Sequence, residues 1–446
     1  MDRLNREIFR LSVPTIVSNI TVPLLGICDT AISGHLGSEL FLSAIAVGSV
    51  MLNVVFWIFG FLRGGTTGLT ANALGASDKT EISKVFYRSF MLAICAGGFL
   101  IALQTPIFRF LWFVAGSGDD IKISVENYYN VRILGSPALL GTMAISGWFV
   151  GMQTTFYPML IAIAMNLVNI VASCVLVYVC DEGFNGVATG TLIANWIGLV
   201  IALGCVIWFL KGKFLKITLS ELFKGNWWRY FSVNGNLFIR SFFIICVTLG
   251  VTSAGARIDY LTLAVNVIVM QFFQFFSFFM DGFAFSGEAM VGLYSGERNF
   301  IQLKKCVGRL LRFTVVTALI FFMVYLFGTI PITSLLTDNG EVIEKVGSLT
   351  LVVALIPVVS CWAFIFDGFY IGITDTYKMM ISALLGFIFF FLIIFLNFRD
   401  VGILFSMDRN VGIWIAFLSY LLARGAYLWM MWEKTLKKYI ILRNVN

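Results

Sequence analysis

The stretch LSVPTIVSNITVPLLGICDTAISGHLG, residues 11–37, is apolar and carries a single carboxylate, Asp29. An acid held inside an apolar helix is costly to keep ionised, so it marks a place where a proton or cation is taken up. The structural alternative is that Asp29 only pairs with a buried cation or caps a helix end. At about 100° per residue, Asp29 shares a helical stripe with Thr15, Ser18, Gly26 and Ser33. Counted from Ile8, Asp29 lies about 31 Å along the helix. Pro14 and Pro23 each remove a backbone donor and mark points where this helix can bend.

A second set of polar groups sits on apolar runs. Asn166, Asn169 and Ser173 share one face of a helix at i, i+3 and i+7, and Thr191 and Asn195 lie on the next run. Tyr128 and Tyr129 open the run before them. These groups can hydrogen-bond a protonated acid or a polar ligand. Their alternative role is to join helices, at about 0.6–2 kcal/mol each. In the second half, Arg240 and Arg424 fall near the middle of their runs, and Asp281, Glu288 and Asp367 near the cytoplasmic ends of theirs. Arginines at such depth need partners or water. The first reading of this charged set is structural pairing, with proton coupling as the minority reading. Among the phenylalanines of 269–285, Gln271, Gln274 and Ser277 share a face; this is either a cavity for bulky apolar or cationic ligands or a lipid-exposed surface.

The elements that carry these residues are membrane spans. The 446 residues are 59% hydrophobic and 12% charged, against about a quarter charged in soluble domains, which excludes a soluble protein. Twelve apolar runs of helical spanning length follow one another, with short connections. An all-α polytopic membrane protein is expected, with a six-helix lobe at 1–210, a cytoplasmic linker at 211–227 and a second six-helix lobe at 228–446. The charged start, residues 1–10, and the long run behind it do not read as a cleaved signal. Of the 31 Lys and Arg residues, 21 fall at the N-terminus, in the even-numbered connections or in the C-terminal tail, so both termini are expected in the cytoplasm. The net charge of +7 is therefore topological and points to no nucleic-acid partner. The eight cysteines form no CxxC spacing, and His35 is the single histidine. With no HExxH and no GxSxG, neither a metal site nor an intramembrane enzyme is supported.

The two halves repeat. Ala46-Val47 match Ala264-Val265 at an offset of 218, and GWFVGMQ at 147–153 matches GFYIGIT at 368–374 at an offset of 221. Six spans per half is an even number, so the halves insert with the same orientation and are expected to relate by an axis along the membrane normal. Gly64 and Gly282 also match at 218, which makes Arg63 and Asp281 equivalent positions and candidate gate residues near the cytoplasmic end.

At these residues the chain resembles the MATE (multidrug and toxic compound extrusion) transporters, in particular their DinF-like branch. The resemblance is carried by P-x-x-x-S-N-x-x-x-P-L-L-G-x-x-D-T-A at 14–31, GFLRGGTTGLTANALGA at 60–76, the Phe238–Arg240 tripeptide, MDGFAFSGEAMVG at 280–292 and FDGFYIGITDTYKM at 366–379. It implies twelve helices in two pseudo-symmetric lobes, no enzyme activity, and export of amphipathic organic compounds from the bacterial inner membrane in exchange for H⁺ or Na⁺. It places the coupling acid at Asp29 and a polar cavity of the first lobe at Tyr128, Ser146, Asn169, Ser173 and Thr191. The chain departs from the family where Ser173 stands in place of a second acid and Ser146 in place of an Asn. A hard cation wants several oxygens and neutralising charge, so the departure favours H⁺. No cofactor beyond the coupling ion and a monomeric state are expected. A lipid-linked precursor flippase of the same superfamily is the alternative; its cavity would need several cations facing the lumen, whereas in the first lobe only Arg63 and Arg132 lie in spans, both near ends.

Overall fold

In the computed structural model, the described residues are 2–34, 39–115, 119–211, 218–224, 227–399 and 408–444. The first half holds α1 (Arg3–Gly34), α2 (Glu39–Ile58), α3 (Phe61–Gly75), α4 (Lys79–Ala102), α5 (Gln104–Ala115), α6 (Lys122–Ile133), α7 (Ser136–Gly151), α8 (Phe156–Tyr178) and α9 (Phe184–Phe209). The short α10 (Leu219–Phe223) lies in the linker. The second half holds α11 (Trp227–Ala256), α12 (Tyr260–Gly296), α13 (Phe300–Leu336), α14 (Gly340–Ser348), α15 (Thr350–Gly372), α16 (Thr376–Phe398) and α17 (Arg409–Asn444).

Among the described residues, ten helical segments are long and apolar enough to cross a bilayer, including α2 and α3 as one span at Ser43–Gly75. The pair α6 and α7, bent by 48°, supplies an eleventh. The bend falls at Gly135, where Asn195 Nδ2 leaves no room for a Cβ, and just before Pro137 in the first turn of α7. Adding α1, 32 residues long, brings the number among the described residues to the twelve expected from the hydrophobic runs. The chain is an all-α membrane protein with six spans in each half.

The contacts divide the chain into Val13–Arg229 and Tyr230–Asn446 with Met1–Ser12. The first twelve residues therefore group with the second half, whereas the sequence assigned all of 1–210 to the first lobe. The cause is side-chain chemistry: Ile8, Leu11 and Ser12 are buried, Ser12 Oγ lies 2.7 Å from Ser286 Oγ, Phe9 packs on Phe313 at 4.9 Å, and Arg309 reaches Asp2 at 3.2 Å. In the linker, α10 is fixed to α4. Buried Arg88 donates to the carbonyls of Leu222 (2.8 Å) and Lys224 (2.7 Å) and stacks on Trp227 at 4.6 Å.

The repeat shows as one packing device used twice. Gly147 of α7 rests on the Arg63 carbonyl of α3, and Gly368 of α15 rests on the Ala284 carbonyl of α12. One turn on, a Cβ at Gly151 would lie 2.8 Å from the Thr67 carbonyl, and one at Gly372 3.1 Å from that of Glu288. All four correspondences have the offset 221. The structural counterpart of Arg63 is thus Ala284, and the expected Arg63–Asp281 equivalence is off by three residues. The offset changes from 218 to 221 across Phe59–Gly60, where the helix is interrupted between α2 and α3 but α12 runs unbroken. Gly147→Ala and Gly368→Ala must each push two backbones apart, so each is expected to destabilise the protein by about 1–3 kcal/mol. Thermal unfolding followed on a detergent-solubilised sample checks this; unchanged melting in both variants would contradict the packing.

Candidate functional site

The polar face of α8 meets α1 and α9. Asn166 Nδ2 donates to Thr21 Oγ1 at 2.8 Å, and Thr21 Oγ1 donates to the Ser18 carbonyl at 2.7 Å. Twelve residues on from Asn166, the Tyr178 hydroxyl reaches the Ile32 carbonyl at 3.5 Å. Thr21 with Asn166 and Ile32 with Tyr178 advance together, so α1 and α8 run parallel, and residue 29 of α1 stands level with the Ser173–Val177 turns of α8. The Asp29 side chain itself lies outside the described residues, as does His35.

At the start of that stretch and one turn before it, three of the sequence-predicted residues come together. Asn169 Nδ2 donates to Thr191 Oγ1 at 3.0 Å, Ser173 Oγ lies 3.4 Å from Asn169 Oδ1, and Thr191 Oγ1 donates to the Val187 carbonyl at 3.1 Å. Asn169, Ser173 and Thr191 are all buried, and Gly190 is pressed on Ser173 so closely that a Cβ there would meet its Oγ and backbone. Here the three side chains join α8 to α9, with their hydrogen bonds made to one another. Neither α8 nor α9 carries an Asp or Glu.

The other first-half candidates are placed apart. Buried Tyr128 accepts from the Arg132 guanidinium one turn further along α6, and its hydroxyl lies 3.0 Å from Ser49 Oγ of α2. Its ring packs over Gly48, with Phe184 at 6.0 Å. Ser146 is half-buried on α7, directly before the Gly147 contact, and Arg63 is half-buried at the start of α3. Thr21, Ser49 and Tyr178 belong to these networks and escaped the sequence reading. Their signal was weak: lone hydroxyls on apolar helices, whose partners sit on helices distant in sequence.

In the second half a charged cluster lies at the meeting of α11, α15 and α17. Asp367 Oδ2 accepts from Arg240 and, at 2.6 Å, from Arg424 Nη2. Arg424 Nη1 donates to the Tyr420 hydroxyl at 2.7 Å, and the guanidinium stands 5.2 Å from the Tyr420 ring. Both arginines pair with Asp367, so the three groups share one level, whereas the sequence reading set Asp367 nearer the helix end than the arginines. The reason is that the helices end at different heights. Past Arg424, α17 continues until Thr435 meets the Tyr370 hydroxyl at 3.3 Å and Lys378 Nζ at 2.8 Å, beside the α15–α16 turn. Asp281 is half-buried and Glu288 buried, both on α12; neither joins this cluster.

Twelve helices in two lobes, with polar and charged networks held inside apolar spans, define a membrane transporter. The comparisons name its kind. The MatE family model matches residues 14–175 and 237–396. DNA damage-inducible protein F of Escherichia coli is 31% identical over 438 residues, covering 96% of this chain and 92% of that protein. A crystal structure of MATE in the bent conformation superposes with a TM-score of 0.88 at 17% identity, over 99% of this chain and 98% of that one. A MOP superfamily transporter from Pyrococcus furiosus gives 0.86 at 16% identity, over 98% and 96%. The chain belongs to the MATE family. It is therefore a multidrug and toxic-compound efflux transporter acting on small organic substrates in the membrane, and not an enzyme.

Proposed function

We propose that this protein exports amphipathic organic compounds across the bacterial inner membrane in exchange for protons, by alternating access, with Asp29 as the coupling carboxylate. The observation that carries this reading is the register of α1 on α8, set by Thr21–Asn166 and Tyr178–Ile32. It puts the acid-bearing turn of α1 next to the level of Ser173, one turn beyond the buried Asn169–Thr191 pair. A bare carboxylate inside a span is costly, which favours uptake of a cation there. The facing helices offer hydroxyls and amides but no second acid, which supports H⁺ over Na⁺. Protonation removes the charge and lets the acid donate to neutral acceptors such as these. Pro14 and Pro23 each lack a backbone donor within α1, so that helix bends at lower cost than an unbroken ladder. Bending α1 on protonation would shrink the first-lobe space and release substrate outward. The excess of Lys and Arg in the even-numbered connections supports cytoplasmic termini. We take the monomer as the working unit, since each lobe pair is complete within one chain.

The test uses purified protein in liposomes with an imposed pH gradient and a fluorescent cationic dye. Dye movement that dissipates the gradient is expected. Dye movement driven equally well by a sodium gradient at constant pH would contradict proton coupling, and movement of a lipid pyrophosphate in place of dye would favour the flippase.

A further inference from the structure

The Asp367 cluster is unbalanced. Two guanidiniums, Arg240 and Arg424, share one carboxylate oxygen, and both have Asp367 as their ion-pair partner among the described residues. The trio carries one net positive charge within apolar spans, where an uncompensated charge is costly. Its hydrogen bonding is incomplete on both sides: Nε of Arg240 and Nε of Arg424 are buried donors without a hydrogen-bond partner, and Asp367 Oδ1 is a buried acceptor without one. The surplus positive charge is what an added carboxylate would balance, and the unpartnered guanidinium donors leave room for it to bind. The open approach is on Arg240, whose side chain is 19% exposed against 7% for Arg424 and for Asp367. Arg424 is held from behind by the Tyr420 hydroxyl, and its Cγ is packed on Gly386. Arg424 and Asp367 thus form a rigid base, and Arg240 is the exposed member that a ligand meets first.

We propose that this cluster is a binding site for the carboxylate of zwitterionic or anionic amphipathic substrates. Arg240 receives the anion, and the Asp367–Arg424–Tyr420 group holds Arg240 in place. A planar guanidinium matches a carboxylate with two parallel hydrogen bonds, and charge-assisted bonds of this kind are about twice as strong as neutral ones. Asp367, with its Oδ2 taken by two arginines, serves as an anchor and takes no part in cation coupling. The inference rests on the transporter reading and specifies the substrate class of that same protein.

The test compares two dyes that share a xanthylium ring and differ in one group: rhodamine 110, a free carboxylic acid, and rhodamine 123, its methyl ester. Equilibrium binding to purified protein in detergent needs no ion gradient, so failure of the coupling proposal leaves it readable. Wild type is expected to bind the free acid about tenfold more tightly than the ester. Arg240→Met should abolish that preference, and Arg240→Lys should keep part of it. Arg240→Met leaves a neutral Arg424–Asp367 pair, so its melting temperature should equal or exceed that of wild type. Equal affinity of wild type for the two dyes, or a preference that survives Arg240→Met, would overturn the proposal.

Discussion

Asp367→Asn is expected to destabilise the protein by about 3–5 kcal/mol, because it leaves the buried Arg424 and the partly buried Arg240 guanidiniums side by side with no counter-charge. Asn keeps the shape and one acceptor oxygen, so the loss isolates charge from packing. The same substitution combined with Arg240→Met leaves only Arg424 and should recover part of the stability. Substituting Arg240 alone removes the surplus charge and is expected to cost little. Melting of the four proteins, wild type included, forms a double-mutant cycle in which Asp367 and Arg240 should couple strongly. An Asp367→Asn variant as stable as wild type would contradict the buried pairing at 2.6 Å between Arg424 and Asp367.

How far such features can be read from the sequence depends on whether their cause is local. The twelve spans are legible because each is set by its own run of apolar residues. The α8 face is legible because Asn166, Asn169 and Ser173 recur at helical spacing, and Thr191 lies on the following helix. The partner of Asn166 is not, since Thr21 lies 145 residues away on a helix with several equivalent hydroxyls. Arg240 and Arg424 announce that they need an acid, but the choice of Asp367 over Asp281 or Glu288 depends on where α15 ends relative to α17. The repeat is visible at GWFVG and GFYIG because close packing admits only glycine at 147 and 368. Arg63 and Asp281 looked equivalent through a neighbouring glycine match that the break at Phe59–Gly60 shifts by three residues. Met1–Ser12 escaped because α1 is one unbroken helix in the sequence pattern, and its change of allegiance at Ser12 is set by Ser286 and Phe313 on other helices.

The second large effect concerns Asp29. Asn in its place is nearly isosteric with the protonated acid and cannot give up a proton. Asp29→Asn should fold and reach the membrane, because a neutral amide is cheaper than a carboxylate inside a span. It should bind substrate and fail to couple, while Asp29→Glu keeps part of the activity. Asn169 and Thr191 contribute a hydrogen bond of about 0.6–2 kcal/mol, so their loss should weaken transport far less than loss of the acid.

The decisive measurement is proton release on addition of substrate to purified protein, recorded with efflux for wild type and Asp29→Asn at equal expression. Wild type is expected to release protons and to export dye down an imposed pH gradient, and Asp29→Asn to do neither. Unchanged proton release and coupled efflux in Asp29→Asn would contradict the account and move the coupling group to Asp281 or Glu288 on α12.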